Sequence, residues 1–193
     1  MACIGIDLDD VLADFIGRFA SIAYKKYQKP APGTKPCDWE WSNFGLTKDE
    51  LADVWNVIHM TNNFWESLNV EEGVNLGMVQ AVDALHTVYF PTARAHVLGN
   101  PVGKQSAKWL YKHFDIRFPT VLVSNEKSPM ARALKYDYFI DDRPKNCLDI
   151  QAALPDCRVF LKNSSHNQAF AAPDGIVRVS GFNEFAELVL GKG

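Results

Sequence analysis

Residues 4–15 read IGIDLDDVLADF. Ile4 and Ile6 have the apolar character of a buried strand, and Asp7, Asp9 and Asp10 follow within four positions. Like charges this close repel, and a strand end leading into a core is a costly place for them. The pattern makes physical sense if something positive binds between Asp7 and Asp9.

Outward from this stretch, the chain alternates strands and helices. ACIGI reads as a strand and the run from Val11 to Lys29 as a helix, with Leu12, Phe15, Ile16, Phe19 and Ala23 at helical spacing. Three prolines and a glycine in PAPGTKPCDW break it, and TKDE at Thr47 is a capping box that starts another helix. From Leu76 the rhythm is regular. It predicts helices over 76–86, 104–114, 128–135, 145–153 and 182–190, and strands over 88–92, 120–124, 137–141, 157–161 and 176–179.

Strands separated by helices of this length imply parallel crossovers. The expected fold class is α/β, a three-layer open parallel sheet with a small helical cap inserted after the first strand. Residues 1–15 and 75–193 would form the core and residues 16–74 the cap. That insertion holds Trp39, Trp41, Trp55 and Trp65, four of the five tryptophans. KNSSHNQAFAAPDG, residues 162–175, is the longest loop-like segment.

In an open parallel sheet, ligands bind beyond the carboxyl ends of the strands. Here the first predicted strand ends in Asp7 and Asp9, the second in Thr92, the third near Lys127 and the fourth in FIDDRP, with Asp141 and Asp142. Asp7 and Asp141 are suited to a hard divalent cation such as Mg²⁺, which takes oxygen ligands. Thr92 and Lys127 can bind phosphoryl oxygens, by hydrogen bond and by charge. A carboxylate facing a clamped phosphate can attack it to form an aspartyl phosphate, and Asp9 can exchange the proton with the leaving group and then with water. Each residue also has a plainer reading. Asp9 or Asp10 could cap a helix, Asp142 could cap one or support a metal ligand, Lys127 and Arg143 could be solvated charges, and Trp55 could fill a core. Lys135 competes with Lys127 but falls within a predicted helix.

In chain order, DLDDV, TAR, K and DD resemble the four motifs of the haloacid-dehalogenase-like phosphohydrolases, over residues 3 to about 160. The similarity is closer to the 5'(3')-deoxyribonucleotidase branch, in which DxDxVLADF opens the chain. The resemblance implies Asp7 as nucleophile and Asp9 as acid/base. It implies Mg²⁺ held by Asp7, the Asp9 backbone carbonyl and Asp141, and phosphate bound around Thr92, Ala93 and Lys127. Phe15 matches a pocket phenylalanine, and Trp55, Trp39 and Trp41 match cap aromatics that cover the base. Three features depart from the branch. Ala93 and Arg94 stand where a serine follows the threonine, Asn125 stands where an arginine precedes the lysine, and the interval from Lys127 to Asp141 is longer by about a helical turn.

The implied activity is a Mg²⁺-dependent phosphatase acting on (deoxy)ribonucleoside monophosphates. The competing readings are a phosphatase of the same fold for another small phosphate ester or a nucleic-acid 3'-phosphate end, and a nucleotide-binding module without turnover. A formal charge of −3 over 193 residues argues against a nucleic-acid polymer or an anionic membrane as partner. Cys3, Cys37, Cys147 and Cys157 lack metal-site or C-x-x-C spacing and read as free thiols. MACIGID has neither a basic region nor a signal-peptide core, so the expected location is cytoplasmic. The five histidines show no ligand spacing, and a homodimer is compatible with the sequence.

Overall fold

The computed structural model describes residues 1–191. Its centre is β1 (Cys3–Ile6), which pairs in parallel with β2 (Thr87–Thr92) on one edge and β4 (Tyr138–Asp141) on the other. With β3 (Thr120–Val123), β5 (Arg158–Lys162) and β6 (Ile176–Val179), the sheet order is β3-β2-β1-β4-β5-β6, and every pair is parallel. The chain builds outward from β1 to β3, then returns to the other edge of β1 and builds outward again. The order therefore reverses between β1 and β4, where a crevice opens beyond the strand ends.

Side chains alternate across the sheet and define two apolar layers. Ile140 and Phe160 enter the larger one with residues of α3 (Leu76–Leu85), α4 (Val102–Phe114) and α7 (Phe182–Val189). Phe139, Val159 and Leu161 enter the smaller one with residues of α5 (Ser128–Leu134) and α6 (Pro144–Ala153). These are the helix–sheet–helix layers expected from the sequence. Among the described residues, no helix is long and apolar enough to cross a membrane. All four cysteines are unpaired thiols.

Residues 15–67 carry α1 (Phe15–Tyr27), α2 (Lys48–Met60) and two short 3₁₀ turns, Ser42–Phe44 and Phe64–Ser67. The capping box that opens α2 is present, with the Glu50 amide donating to Thr47 Oγ1 at 3.2 Å and the Thr47 amide to Glu50 Oε2 at 2.8 Å. The start of α1 differs from the sequence expectation. The helix begins at Phe15 rather than Val11, because Asp10 adopts a left-handed backbone (φ 56°) that a continuous helix excludes. Residues 11–14 instead form a buried turn, and Asp14 caps the helix by accepting from the Gly17 amide at 2.8 Å. This outgoing chain meets the returning one, with the Asp14 amide donating to Asn69 O at 3.0 Å and the Glu71 amide to Leu12 O at 2.8 Å.

Gly5 is required by packing. A Cβ there would meet Tyr136 at 2.5 Å and Phe139 at 2.9 Å, both buried rings. Gly5→Ala is expected to cost about 1–3 kcal/mol, the usual range for overpacking a filled core. Urea denaturation of the two proteins measures it, and an unchanged midpoint would mean that the two rings give way freely.

Candidate active site

Each component of the site sits at the end of one parallel strand. Asp7 directly follows β1, and its amide donates to Ile140 O at 3.0 Å, which ties it to β4. Asp141 is the last residue of β4, Thr92 the last of β2, and Lys127 follows β3. The Lys127 ammonium lies 2.6 Å from Asp7 Oδ1 and 2.7 Å from Asp141 Oδ2, with all three side chains buried. Asp141 also accepts from the Arg143 amide at 2.8 Å and from Asn146 Nδ2 at 3.0 and 3.1 Å.

Burial sets the electrostatics. It drives the Asp7 carboxyl well above the ordinary carboxylate range; Lys127 opposes this, while Asp141, Asp142 and Asp9 add to it. Asp141 is raised by burial too, again against Lys127. For Lys127, burial pulls the pKa down, but Asp141 and Asp7 more than reverse that and keep the ammonium charged. One ammonium does not balance the carboxylates here. Asp7, Asp141 and Asp142 offer oxygens within 4.8 Å of one another, a donor set for a hard divalent cation.

Asp142 neither caps α6, whose cap residue is Arg143, nor faces solvent. Its Oδ2 lies 2.8 Å from Nε2 of the buried His166, at an angle too poor for a hydrogen bond. Thr92 is fully buried and its hydroxyl has no partner among the described residues. Lys135, the rival to Lys127, is an exposed left-handed residue just past the end of α5. Asp9 borders the same cleft but has a different partner: its carboxylate pairs with Arg94, with Nη2 2.8 Å from Oδ1.

Above these groups a cleft of about 470 Å³ is walled on one side by Phe15, Trp41, Trp55 and Trp65. The Phe15 ring lies 5.6 Å from that of Trp55 and 5.7 Å from that of Trp65, and Trp41 and Trp55 are near parallel. Ala93 and Asn125 also line the cleft. Trp39 is 42% exposed and stands at the mouth, with the Arg143 guanidinium 4.6 Å from its ring and His166 5.2 Å away. Every residue proposed from the sequence borders this cleft except Thr92, which is fully buried at the end of β2.

Comparison with known proteins agrees with this geometry. Residues 1–192 match the family described as 5' nucleotidase, deoxy (pyrimidine), cytosolic type C protein. The chain belongs to this nucleotidase family. A Bacillus cereus protein named "Putative nucleotidase" is 25% identical over 96% of both chains. A Chlorobaculum tepidum protein named "Putative 5'(3')-deoxyribonucleotidase" is 26% identical over 77% of this chain and 73% of its own. In fold, a haloacid-dehalogenase-like hydrolase from Streptococcus pneumoniae superposes with a TM-score of 0.60 at 13% identity, covering 100% of this chain and 98% of that one. The protein is thus a phosphoric monoester hydrolase of a nucleotidase family, with a haloacid-dehalogenase-like fold.

Within the candidate site, the sequence does not single out Arg94 or Asn146. Arg94 was noted only as a departure from the branch, and its partner is 85 positions away. Asn146 lies five residues past Asp141, a first-turn position on α6 that carries no motif. Trp65, one of the tryptophans of the inserted segment, lines the cleft although it is only 2% exposed, because aromatic spacing alone does not distinguish wall from core.

Lys127→Met should leave Asp7 and Asp141 buried without their counter-charge. Breaking a buried pair from one side costs about 3–5 kcal/mol. Denaturation at neutral pH without divalent cations is the measurement, and a loss below about 1 kcal/mol would place the charge balance elsewhere.

Proposed function

We propose that this nucleotidase-family chain is a Mg²⁺-dependent phosphatase that hydrolyses (deoxy)ribonucleoside monophosphates through an aspartyl phosphate on Asp7. The observation that carries the reading is the Thr92 hydroxyl, which has no partner among the described residues and is buried at the end of β2, the strand paired with the one that leads to Asp7. A buried hydroxyl is normally hydrogen-bonded, and a phosphoryl oxygen would supply its missing partner. Lys127 and the amides around Ala93 would complete the phosphate cradle.

The donor set suits Mg²⁺: oxygens only, with two or three carboxylates and room for water. Asp7, Asp141 and the Asp9 carbonyl would hold the ion, supported by Asp142. When bound, the ion would offset the charge that builds on the phosphoryl oxygens.

The chain's own residues account for the bond changes. Lys127 ties Oδ1 of Asp7, leaving Oδ2 to attack phosphorus. The bond to the sugar oxygen breaks with its electron pair on oxygen, and Asp9 gives that oxygen a proton. Water then attacks phosphorus and passes a proton to Asp9. The bond to Asp7 breaks, releasing phosphate and restoring the Asp7 carboxylate.

Residues 16–74 serve in this reading as the cap. They would pivot on the paired segments 10–14 and 69–71 and present the aromatic wall to the base. Trp39 would close the mouth against Arg143. The cytoplasm is the compartment that fits four unpaired thiols.

The direct test is phosphate release from nucleoside monophosphates, with Mg²⁺ and with excess EDTA. Activity should require the ion, and Asp7→Asn should lower the rate by more than about a thousandfold in a folded protein, since an amide cannot attack. Hydrolysis by Asp7→Asn at a few per cent of wild type would remove the covalent step.

A second test concerns the substrate. Stacking on an aromatic is worth ~1–3 kcal/mol per base. The enzyme should then prefer dTMP or dUMP to ribose 5-phosphate by roughly ten- to a hundredfold in kcat/KM. Trp55→Ala should narrow that ratio. Equal turnover of ribose 5-phosphate would leave a general phosphatase and exclude base recognition by the wall.

A further inference from the structure

The Arg94 side chain is completely buried, whereas the Asp9 side chain it grips is 21% exposed to the cleft. Its contacts are directed. Nη2 donates to Asp9 Oδ1 at 2.8 Å, Nε bridges Oδ1 and Oδ2 at 3.1 Å each, and Nη1 donates to Ser106 Oγ at 2.9 Å. The guanidinium plane is flanked by the indoles of Trp65 and Trp109, at 5.0 and 5.8 Å. Both rings are pinned in turn, since Trp65 Nε1 donates to Ala95 O at 2.9 Å and Trp109 Nε1 to Leu68 O at 2.8 Å. A rigid, planar donor fork therefore meets Asp9 from a frame made by α4 and the Phe64–Ser67 turn.

We propose that Arg94 is the positioning residue for Asp9, fixing the rotamer of that carboxylate and leaving Oδ2 as the oxygen that exchanges the proton. Oδ1 accepts two guanidinium donors and Oδ2 only one, so the free acceptor position is on Oδ2. This rests on the phosphatase reading above, in which Asp9 acts twice: once on the leaving sugar oxygen and once on the attacking water. Both transfers need one oxygen within hydrogen-bond reach of the reacting atom, and a carboxylate free to rotate would lose that geometry. Arg94 stands two positions after Thr92 yet is not a phosphate ligand in this arrangement, because Nε and Nη2 serve Asp9 and Nη1 serves Ser106.

The experiment separates positioning from phosphate binding and from a purely structural role. Arg94→Met and Arg94→Lys are assayed with dTMP and with 4-nitrophenyl phosphate in Mg²⁺, by steady-state and stopped-flow kinetics, with circular dichroism to check folding. Lysine keeps the charge but not the fork, so it remains informative if the methionine variant fails to fold. In either variant kcat should fall about a hundredfold on both substrates. KM should stay within about threefold, as expected when no ground-state contact to substrate is lost. Nitrophenolate leaves without a proton, so the aryl ester should now give a burst of about one equivalent per site before the slow water step. Guanidinium ion should restore part of kcat in Arg94→Ala but none in Arg94→Ala/Asp9→Asn.

A KM raised tenfold with kcat retained would instead make Arg94 a phosphate ligand. Loss of the burst together with the steady-state rate, or no guanidinium rescue, would reduce it to a structural role. Wild-type protein that releases no phosphate from either substrate would overturn this inference and the phosphatase reading together. An active wild type with unaffected variants would overturn the inference alone.

Discussion

The Lys127 ammonium lies between two buried carboxylates at the point where the sheet changes direction, 2.6 Å from Asp7 and 2.7 Å from Asp141. Charges in such a place are tolerated only when paired. The pairing constrains the sheet, because Asp7 and Asp141 belong to strands separated by more than a hundred residues of chain and Lys127 to a third segment. A one-residue slip of β4 against β1 would turn Asp141 to the opposite face and leave the lysine half satisfied. The observed register, with Ile6 opposite Ile140, brings the two carboxylates to the same edge. Strand order and site chemistry therefore specify each other.

A second lysine does the same for the joint between the sheet and the inserted helices. Lys162, at the end of β5, donates to the carbonyl of Asp10 at 2.6 Å and to Glu71 Oε1 at 2.7 Å. These partners lie on the outgoing and returning strands of the insertion, so one side chain holds both. Asp10 is fixed further by accepting from the Ile16 amide at 3.0 Å, and burial raises its carboxyl well above the usual range. The aromatic wall thus stands on a base anchored within the sheet. Phe15, the first residue of α1, begins one position past the cap residue Asp14 and faces the cleft.

How far the sequence carried the reading depends on the range of the forces involved. Asp7, Thr92, Lys127 and Asp141 were legible because a polar group at the end of an apolar strand is a local signal, and four such signals fall at one edge of a parallel sheet. The capping box of Thr47 and Glu50 is local as well, and it was read correctly. The start of α1 was not. Val11 and Leu12 continue a helical apolar period, but Lys162 and the returning chain hold Asp10 in a left-handed backbone, and neither is visible in a window around residue 11. The same reason hid Arg94. Its partner Asp9, the indole of Trp65, and α4 with Ser106 and Trp109 lie on three separate segments, so its type and position suggest only a changed phosphate contact.

This placement of Arg94 bears on how the cleft meets an anion. Of its two buried cations, Lys127 is shared by two carboxylates and Arg94 is committed to Asp9. Where the deoxyribonucleotidase branch adds an arginine, this chain has the exposed, neutral Asn125. A phosphate entering without a metal would find one hydroxyl, a divided ammonium, the half-buried Arg143 beside Trp39 and a surplus of carboxylates, and like charges within a few ångströms in a low-dielectric pocket repel strongly. In the proposed mechanism a divalent cation reverses that balance, because it neutralises the carboxylates and the phosphate together. In that mechanism the site would recognise the metal–phosphate pair rather than the anion alone. It leaves the aromatic wall, which carries no charge, to distinguish one phosphate ester from another.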